Sequence, residues 1–297
     1  MVKRMDSKNA VVRKDFTSSM LEKVNEVAVK AGNQLTNTDN ENIVDILTGT
    51  LTRITDPKSG ISKLSDVRFN ECAFPSQVKR FARMGLKLSE SHFYVDLRKH
   101  GNGGQYDIGL WLQYQGEEHI LKEFCKKGGG IVNIYKDVVM ANEELVTQMD
   151  FRSGTLMITD HKIPDLFTRN VTYKNKDNVK GAYAIAYHAD GSQTAVTIDK
   201  VRIERGYSAA KTKNVWEADY KAMVLKTVVH VLFKELRKYN EIPADLKGDY
   251  NAVQTEADQE QAKASAQTAT EVFDADITEV EESTGEVKKG PKEGPSW

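Results

Sequence analysis

Two stretches of alternating apolar residues, joined by Gly101-Asn102-Gly103-Gly104, constrain this chain more than any other feature. Phe93, Val95 and Leu97 alternate with Tyr94, Asp96 and Arg98 on one side of the run. Tyr106, Ile108, Leu110, Leu112 and Tyr114 recur at every second position on the other. Extended chain points successive side chains to opposite faces, so each stretch presents one apolar face, and a Gly/Asn connection between them marks an antiparallel hairpin. The glycine run is not a phosphate cradle. No Lys-Ser or Lys-Thr follows it, and it joins two strands where a P-loop opens a helix. A second hairpin is expected from Gly181–His188 and Thr194–Ile198 about the turn Ala189-Asp190-Gly191, with further strands at Ile131–Met140 and Leu156–Thr159.

Helical periodicity occupies the rest of the body. Phe16, Met20, Val24 and Val27 recur at helical spacing before a stop at Gly32, and a second helix is predicted from Asn40 to Ile54, ahead of Asp56-Pro57. A third follows Pro75, with Val78, Phe81 and Met84 on its apolar face, Lys79, Arg80 and Arg83 on its polar side, and Gly85 at its end. Glu117–Lys127 reads as a helix closed by Gly128-Gly129-Gly130. The longest helix is expected at about Val215 to Tyr239, before Pro243. Hairpins and helices in separate runs predict an α+β fold, antiparallel β-hairpins packed with helices and closed by a long C-terminal core helix. The expected division is a helical region at 1–69, a core at 70–245 and a disordered acidic tail at 246–297.

Charge supports that division. The net charge of −1 hides an uneven distribution, because residues 246–297 hold twelve acidic residues against five basic ones. The tail is polar and alanine-rich, with too little apolar surface to offset the entropy of ordering it. Residues 1–245 are therefore net basic, which suits a binder of phosphates without establishing one. Cys72 and Cys125 are too few and too far apart for a disulfide framework or a metal cluster, and the six histidines show no ligand spacing. No run of about 18 apolar residues predicts a membrane span. The basic start lacks an apolar segment after it, so no secretory signal is expected and the cytoplasm is the default.

The stretch Trp216–Tyr239 carries the most information about function. Trp216, Tyr220, Met223 and Thr227 form one line at helical spacing; Leu225, Val228, Leu232 and Leu236 form another. Lys226, His230, Lys234 and Arg237 fall on one stripe, about 6 Å apart per step of four residues. Such a stripe fits a solvated helix face and equally a row that tracks a repeating anionic backbone.

This stretch, with GAYAIAYHADGSQTAVTIDKVRIERGYS before it, resembles the core of the RecT family of phage recombination proteins. Gly85-Leu86, Tyr114 and Gly116, Asp150-Phe151, and His161-Lys162 before Pro164 recur upstream in the family's order, so the resemblance covers roughly residues 70–245. Gly85-Leu86-Lys87-Leu88 departs from the family's Gly-Leu-Glu-Pro, Tyr114-Gln115-Gly116 from its Tyr-Arg-Gly, and His230 stands where an arginine often occurs.

The resemblance implies a RecT-like annealing-protein fold that binds single-stranded DNA, pairs complementary strands without ATP or any cofactor, and works as a ring or helical filament in the cytoplasm of a bacterial host. A phage exonuclease and the host single-strand binding protein are the implied partners, with single-stranded DNA and annealed duplex as ligands. No membrane is involved. The helical region at 1–69 is the expected place for oligomer contacts. On this picture Lys226, Lys234 and Arg237 line a groove floor, His230 on the same stripe is a further DNA contact, and Lys211 and Lys213 act as clamps. Arg202 and Arg205, Arg98 and Lys99, and Lys126 and Lys127 add phosphate contacts, while Trp216 and Tyr114 stack on bases or sugar. An ordinary exposed charge is the alternative at each cation, and a core position is the alternative for Trp216. The competing function is a metal-dependent phage DNA-processing nuclease using Glu143, Glu144, Asp150 and Asp160, whose alternative is solvated loop charge.

Overall fold

Three amphipathic helices form the first layer. The computed structural model describes residues 7–259 apart from 33, 62, 70–72, 102–103, 152–153, 167–168, 211–212 and 257, with backbone alone at 7–15. Helix α1 (Ser7–Lys30) buries Phe16, Met20, Val24 and Ala28, the last in place of the expected Val27. Helix α2 (Asn37–Ile54) starts at Thr36, whose hydroxyl accepts from the Asp39 N–H at 3.1 Å while the Asp39 carboxylate accepts from the Thr36 N–H at 2.7 Å. That reciprocal cap satisfies two amides the helix cannot satisfy itself. Helix α3 (Ala73–Arg83) lies across both, and Asn42 of α2 donates to the Ala82 carbonyl at 3.1 Å.

The predicted first hairpin is present as β2 (Phe93–His100) and β3 (Gln105–Leu112), in register from Phe93↔Leu112 to His100↔Gln105, with the short β1 (Val67–Arg68) parallel to β3. Helix α4 (Tyr114–Phe124) begins three residues earlier than expected and ends three residues earlier. Gly116 therefore sits inside a helix and not in a turn. Its role is close approach, since a Cβ there would lie 2.3 Å from the His92 carbonyl oxygen. The Gly128–Gly130 run holds three consecutive positive φ angles and delivers the chain into β4 (Ile131–Met140).

A three-stranded antiparallel sheet, in the order β4–β7–β8, organises the rest, with β7 spanning Val179–His188 and β8 Gln193–Asp199. The two faces of β7 are both covered, which is why its sequence is apolar almost throughout. Ala182, Ala184 and Ala186 join the main core with Val224, Val228 and Leu232 of α7 (Tyr220–Leu236). Tyr183 and Ile185 point the other way and pack with Ile158. Ile158 belongs to a hairpin of β5 (Glu144–Asp150) and β6 (Thr155–Lys162). Strand β5 was not expected. Its apolar residues do not alternate, and most of its length is exposed.

The C-terminal part corrects the sequence in two places. The single long helix expected over Val215–Tyr239 is divided into α6 (Lys213–Ala218) and α7, 17 residues long and shorter than the 24 of α1. Asp219 makes the break. Its backbone leaves the helical region (φ −142°, ψ 73°) and its carboxylate caps α7 by accepting from the Ala222 N–H at 3.1 Å. Packing also continues past Asp245. A further helix, α8, spans 247–256, with Tyr250 and Val253 buried in the main core. The chain was expected to be too polar to pack there, and two apolar residues one turn apart suffice. The expected disorder of the tail lies, from residue 260 on, outside the described residues.

Candidate nucleic-acid interface

Helix α5 (Lys200–Ser208) is capped by Asp199, whose carboxylate accepts from the Arg202 N–H at 2.8 Å. Ile203 anchors it in the core, which turns Arg202 and Arg205 outward, one turn apart and exposed. Arg202 lines a shallow cleft with Thr197, Ile198 and Asp199 on one side and Val231 of α7 on the other. Lys226 of α7 is exposed as well. Arg202, Arg205, Lys213 and Lys226 thus provide four exposed cations on three consecutive helices.

Trp216 does not join them. It is 2% exposed and packs edge-on against Tyr207, with ring centres 5.9 Å apart, and against Tyr220 at 6.0 Å. Of the two readings the sequence offered, base stacking and a core position, the structure shows the core position: Trp216 fastens α6 to α5, and its indole begins the buried line of the helix. What lies outside it is a feature the sequence did not reveal. The Tyr173 and Tyr207 hydroxyls are 2.9 Å apart, the Lys176 ammonium lies 4.7 Å from the Tyr173 ring centre, and Lys213 lies 5.5 Å from that of Tyr207. The bond to Tyr173, followed by partial burial, pushes the Tyr207 phenol up to about 12. The bonds from Tyr207 and Lys176 push the Tyr173 phenol down. Tyr173 opens a short 3-10 helix (Tyr173–Asn178) whose polar sequence has no periodicity to single it out.

The stripe on α7 is not free along its length. His230 meets Glu117 of α4 at 2.5 Å, Arg237 meets Asp258 at 2.7 Å and Lys234 approaches the same carboxylate at 3.9 Å. Of the four, Lys226 alone carries no ion pair with a described residue. The polar side of α3 is covered too. Lys79 pairs with Asp249 at 2.9 Å, and Arg83 pairs with Asp249 at 2.9 Å and Asp245 at 2.6 Å, leaving Lys79 and Arg83 buried.

Lys126 is exposed beyond α4, and Lys127 donates to Thr194 at 2.9 Å while its ammonium stands 4.9 Å from the Tyr239 ring centre. Tyr114 lies half-buried beneath the Lys136 ammonium, 5.1 Å away, and burial followed by the charge of Glu118 pushes its phenol up. Arg98 lies over Trp111 at 5.1 Å and pairs with Asp96, with Lys99 exposed beside it. These two sit on the β1–β3–β2 sheet, a different sheet from the one α7 crosses. Lys211 lies outside the described residues, as does Cys72. Cys125 is buried, and its thiol is pushed up by that burial.

The four carboxylates considered for a metal do not converge. Glu144 pairs with Lys162 at 3.0 Å, and Asp150 and Asp160 stand opposite Thr155 and Val146 in the hairpin ladder. Glu143 is consumed in a buried knot. It accepts from Arg169 Nε at 2.5 Å, from the Met140 N–H at 2.7 Å and from His161 Nε2 at 3.1 Å, which leaves His161 Nδ1 to meet the Tyr183 hydroxyl at 3.1 Å. Arg169 also reaches Asp137 at 2.8 Å. Among the described residues no group of three or more metal-ligating side chains is placed to hold an ion.

The sequence matches the model of the RecT family over residues 84–268, more than half of the chain. The chain belongs to the RecT family. RecT proteins bind single-stranded DNA and anneal complementary strands in phage recombination. The match takes in the hairpins, α4 to α7 and the whole of α8. It therefore extends past Asp245, as the packing does. No curated protein matched the sequence. Among the described residues no helix is long and apolar enough to cross a membrane.

Proposed function

We propose that this chain anneals complementary single strands without ATP or a metal, holding one strand along the exposed cations of α5, α6 and α7. Arg202, Arg205, Lys213 and Lys226 bind phosphates, and Lys176 with Tyr207 extends the path. The observation that carries this reading is the exposure of four cations on three consecutive helices inside the matched region. Contacts limited to phosphates leave the bases outward, where only Watson–Crick pairing tests them. Lys126, Lys127, Arg98, Lys99 and Tyr114 serve the neighbouring stretch of DNA or the incoming strand. The chain works as an oligomer in the cytoplasm of the bacterial host, beside an exonuclease that makes the single strand and the host protein that coats it. Helices α1 and α2 supply oligomer contacts, and the acidic tail from residue 260 on is the partner-docking segment.

The test is binding of a dye-labelled oligo-dT over a salt series by the wild type and by R202Q/R205Q/K226Q. Each lost phosphate contact reduces the steepness of log affinity against log salt by about 0.7, so the triple variant should lose about 2 from the slope and bind more weakly at low salt. An unchanged slope and affinity would remove these helices from the interface.

A further inference from the structure

The carboxylates of one short segment, 245–258, meet five cations presented by two helices. Lys79, Arg80 and Arg83 come from α3, Lys234 and Arg237 from the end of α7 and the residue after it. The pairs fall into two kinds. The inner ones, Lys79 and Arg83 on Asp249, are at most 8% exposed and lie beside the buried Tyr250 and Val253. Removing either partner there would strand a buried charge, so these pairs belong to the fold.

The outer ones are different. Arg80 is met by Glu256, and Lys234 and Arg237 by Asp258, all beyond the last buried anchor at Val253. The Asp258, Lys234 and Arg237 side chains are 41, 37 and 31% exposed, and the Glu256 and Arg80 side chains, 30 and 16% exposed, are more covered. Among the described residues no apolar side chain past Val253 is buried, and a stretch without buried apolar anchors opens locally at little cost. Beside it runs an open cleft, with Arg237 and Lys238 on one wall and Asn251, Gln254, Thr255 and Asp258 on the other. Next to Lys238 the ring of Tyr239, 38% exposed, has the ammonium groups of Lys127 and Lys238 over it at 4.9 and 5.2 Å. Lys238 pairs with Glu235 at 2.8 Å, both about half exposed. Clustered cations with an exposed aromatic suit a single strand, which offers phosphates at regular intervals and a base to stack. Glu256 and Asp258 present negative charge where such phosphates would lie.

We propose that Arg80, Lys234, Arg237, Lys238 and Tyr239 form a second contact surface for single-stranded DNA, and that Glu256 and Asp258 occupy it as phosphate substitutes until DNA displaces them. The identity of the ligand rests on the annealing reading. The surface, and its occupation by the chain's own carboxylates, does not.

The experiment uses the full chain carrying E256Q/D258N, with thermal unfolding to confirm that the fold is retained. Freeing Arg80 and Arg237 should steepen the salt slope for oligo-dT by about 1.4 and raise affinity at low salt about tenfold or more. Adding R80Q/R237Q should return the slope to the wild-type value. In the wild type, oligo-dT should speed hydrogen exchange at 255–259 while 249–253 stay protected. An E256Q/D258N protein with unchanged slope and affinity overturns the proposal, as does unchanged exchange at 255–259. If R202Q/R205Q/K226Q keeps full affinity while E256Q/D258N gains it, the first interface falls and this one stands. If no form binds oligo-dT, both fall.

Discussion

Replacing Arg169 with methionine should destabilise the protein more than any surface substitution, and the loss should depend on pH in a defined direction. The Arg169 side chain is 7% exposed and joins Asp137 of β4, Glu143 before β5 and the Val138 carbonyl. Through Glu143 it is linked to His161 of β6 and Tyr183 of β7. The knot therefore pins the β5–β6 hairpin to the central sheet. Burial alone would push the Glu143 carboxyl up, but the bonds from Arg169, the Met140 N–H and His161 outweigh it and hold the carboxyl below the usual range.

Removing the arginine leaves the buried Glu143 carboxylate with His161 and the Met140 N–H, and Asp137 with only Lys221 at 3.7 Å as its ion-pair partner. Breaking a buried pair in this way costs about 3–5 kcal/mol. For a chain of this size that lowers the melting temperature by roughly 10 °C. A carboxyl depressed in the folded state contributes stability above its unfolded value, near 4.3, that is lost as pH falls through the folded value. Wild type should thus weaken on acidification below about pH 4. In R169M the buried Glu143 prefers its neutral form, so the deficit against wild type should be largest near pH 7 and shrink towards pH 4. R169M/E143Q should recover part of it at neutral pH. Urea unfolding followed by circular dichroism at pH 4, 5.5 and 7 measures all three forms. A loss under about 1 kcal/mol at pH 7, or a deficit independent of pH, would refute the reasoning.

Two further substitutions test the local arguments. Gly116→Ala places a methyl 2.3 Å from the His92 carbonyl oxygen and 2.5 Å from Leu112 Cδ1, so unfolding should become easier by about 1–3 kcal/mol, measured by urea unfolding. Trp216→Ala should cost about 3–5 kcal/mol as a core cavity, while Trp216→Phe keeps the α5–α6 contact and should leave oligo-dT affinity within twofold. A stable Trp216→Phe protein with tenfold weaker binding would show that the indole meets DNA.

Elements carried by strong periodicity were readable from the sequence. The hairpin from Phe93 to Leu112 and the strands β4, β7 and β8 follow from alternation or apolar runs between turn residues, and α2 and α3 follow from their apolar faces. The break at Asp219 was hidden because the apolar line passes through it unbroken from Trp216 to Tyr220, and only the backbone shows the aspartate acting as a cap. Among the candidate contacts the cationic residue types were readable, but their availability was not. Arg202, Arg205, Lys213 and Lys226 are exposed, whereas Lys79, Arg83, His230 and Arg237 are engaged by residues 21 to 170 positions away, from Arg237–Asp258 to Lys79–Asp249. Spacing along one helix carries no information about partners brought by another. Tyr173 and Tyr207 were missed for the same reason, since their contact exists only once a loop folds over α5.

The most direct test of the central claim is annealing of two complementary dye-labelled oligonucleotides by the full chain, without ATP, in EDTA, over a salt series. Pairing accelerated at low salt and slowed as salt rises, with no product shorter than the input and with R202Q/R205Q/K226Q impaired, is the predicted result. Binding of the single strands without any acceleration of pairing would contradict it.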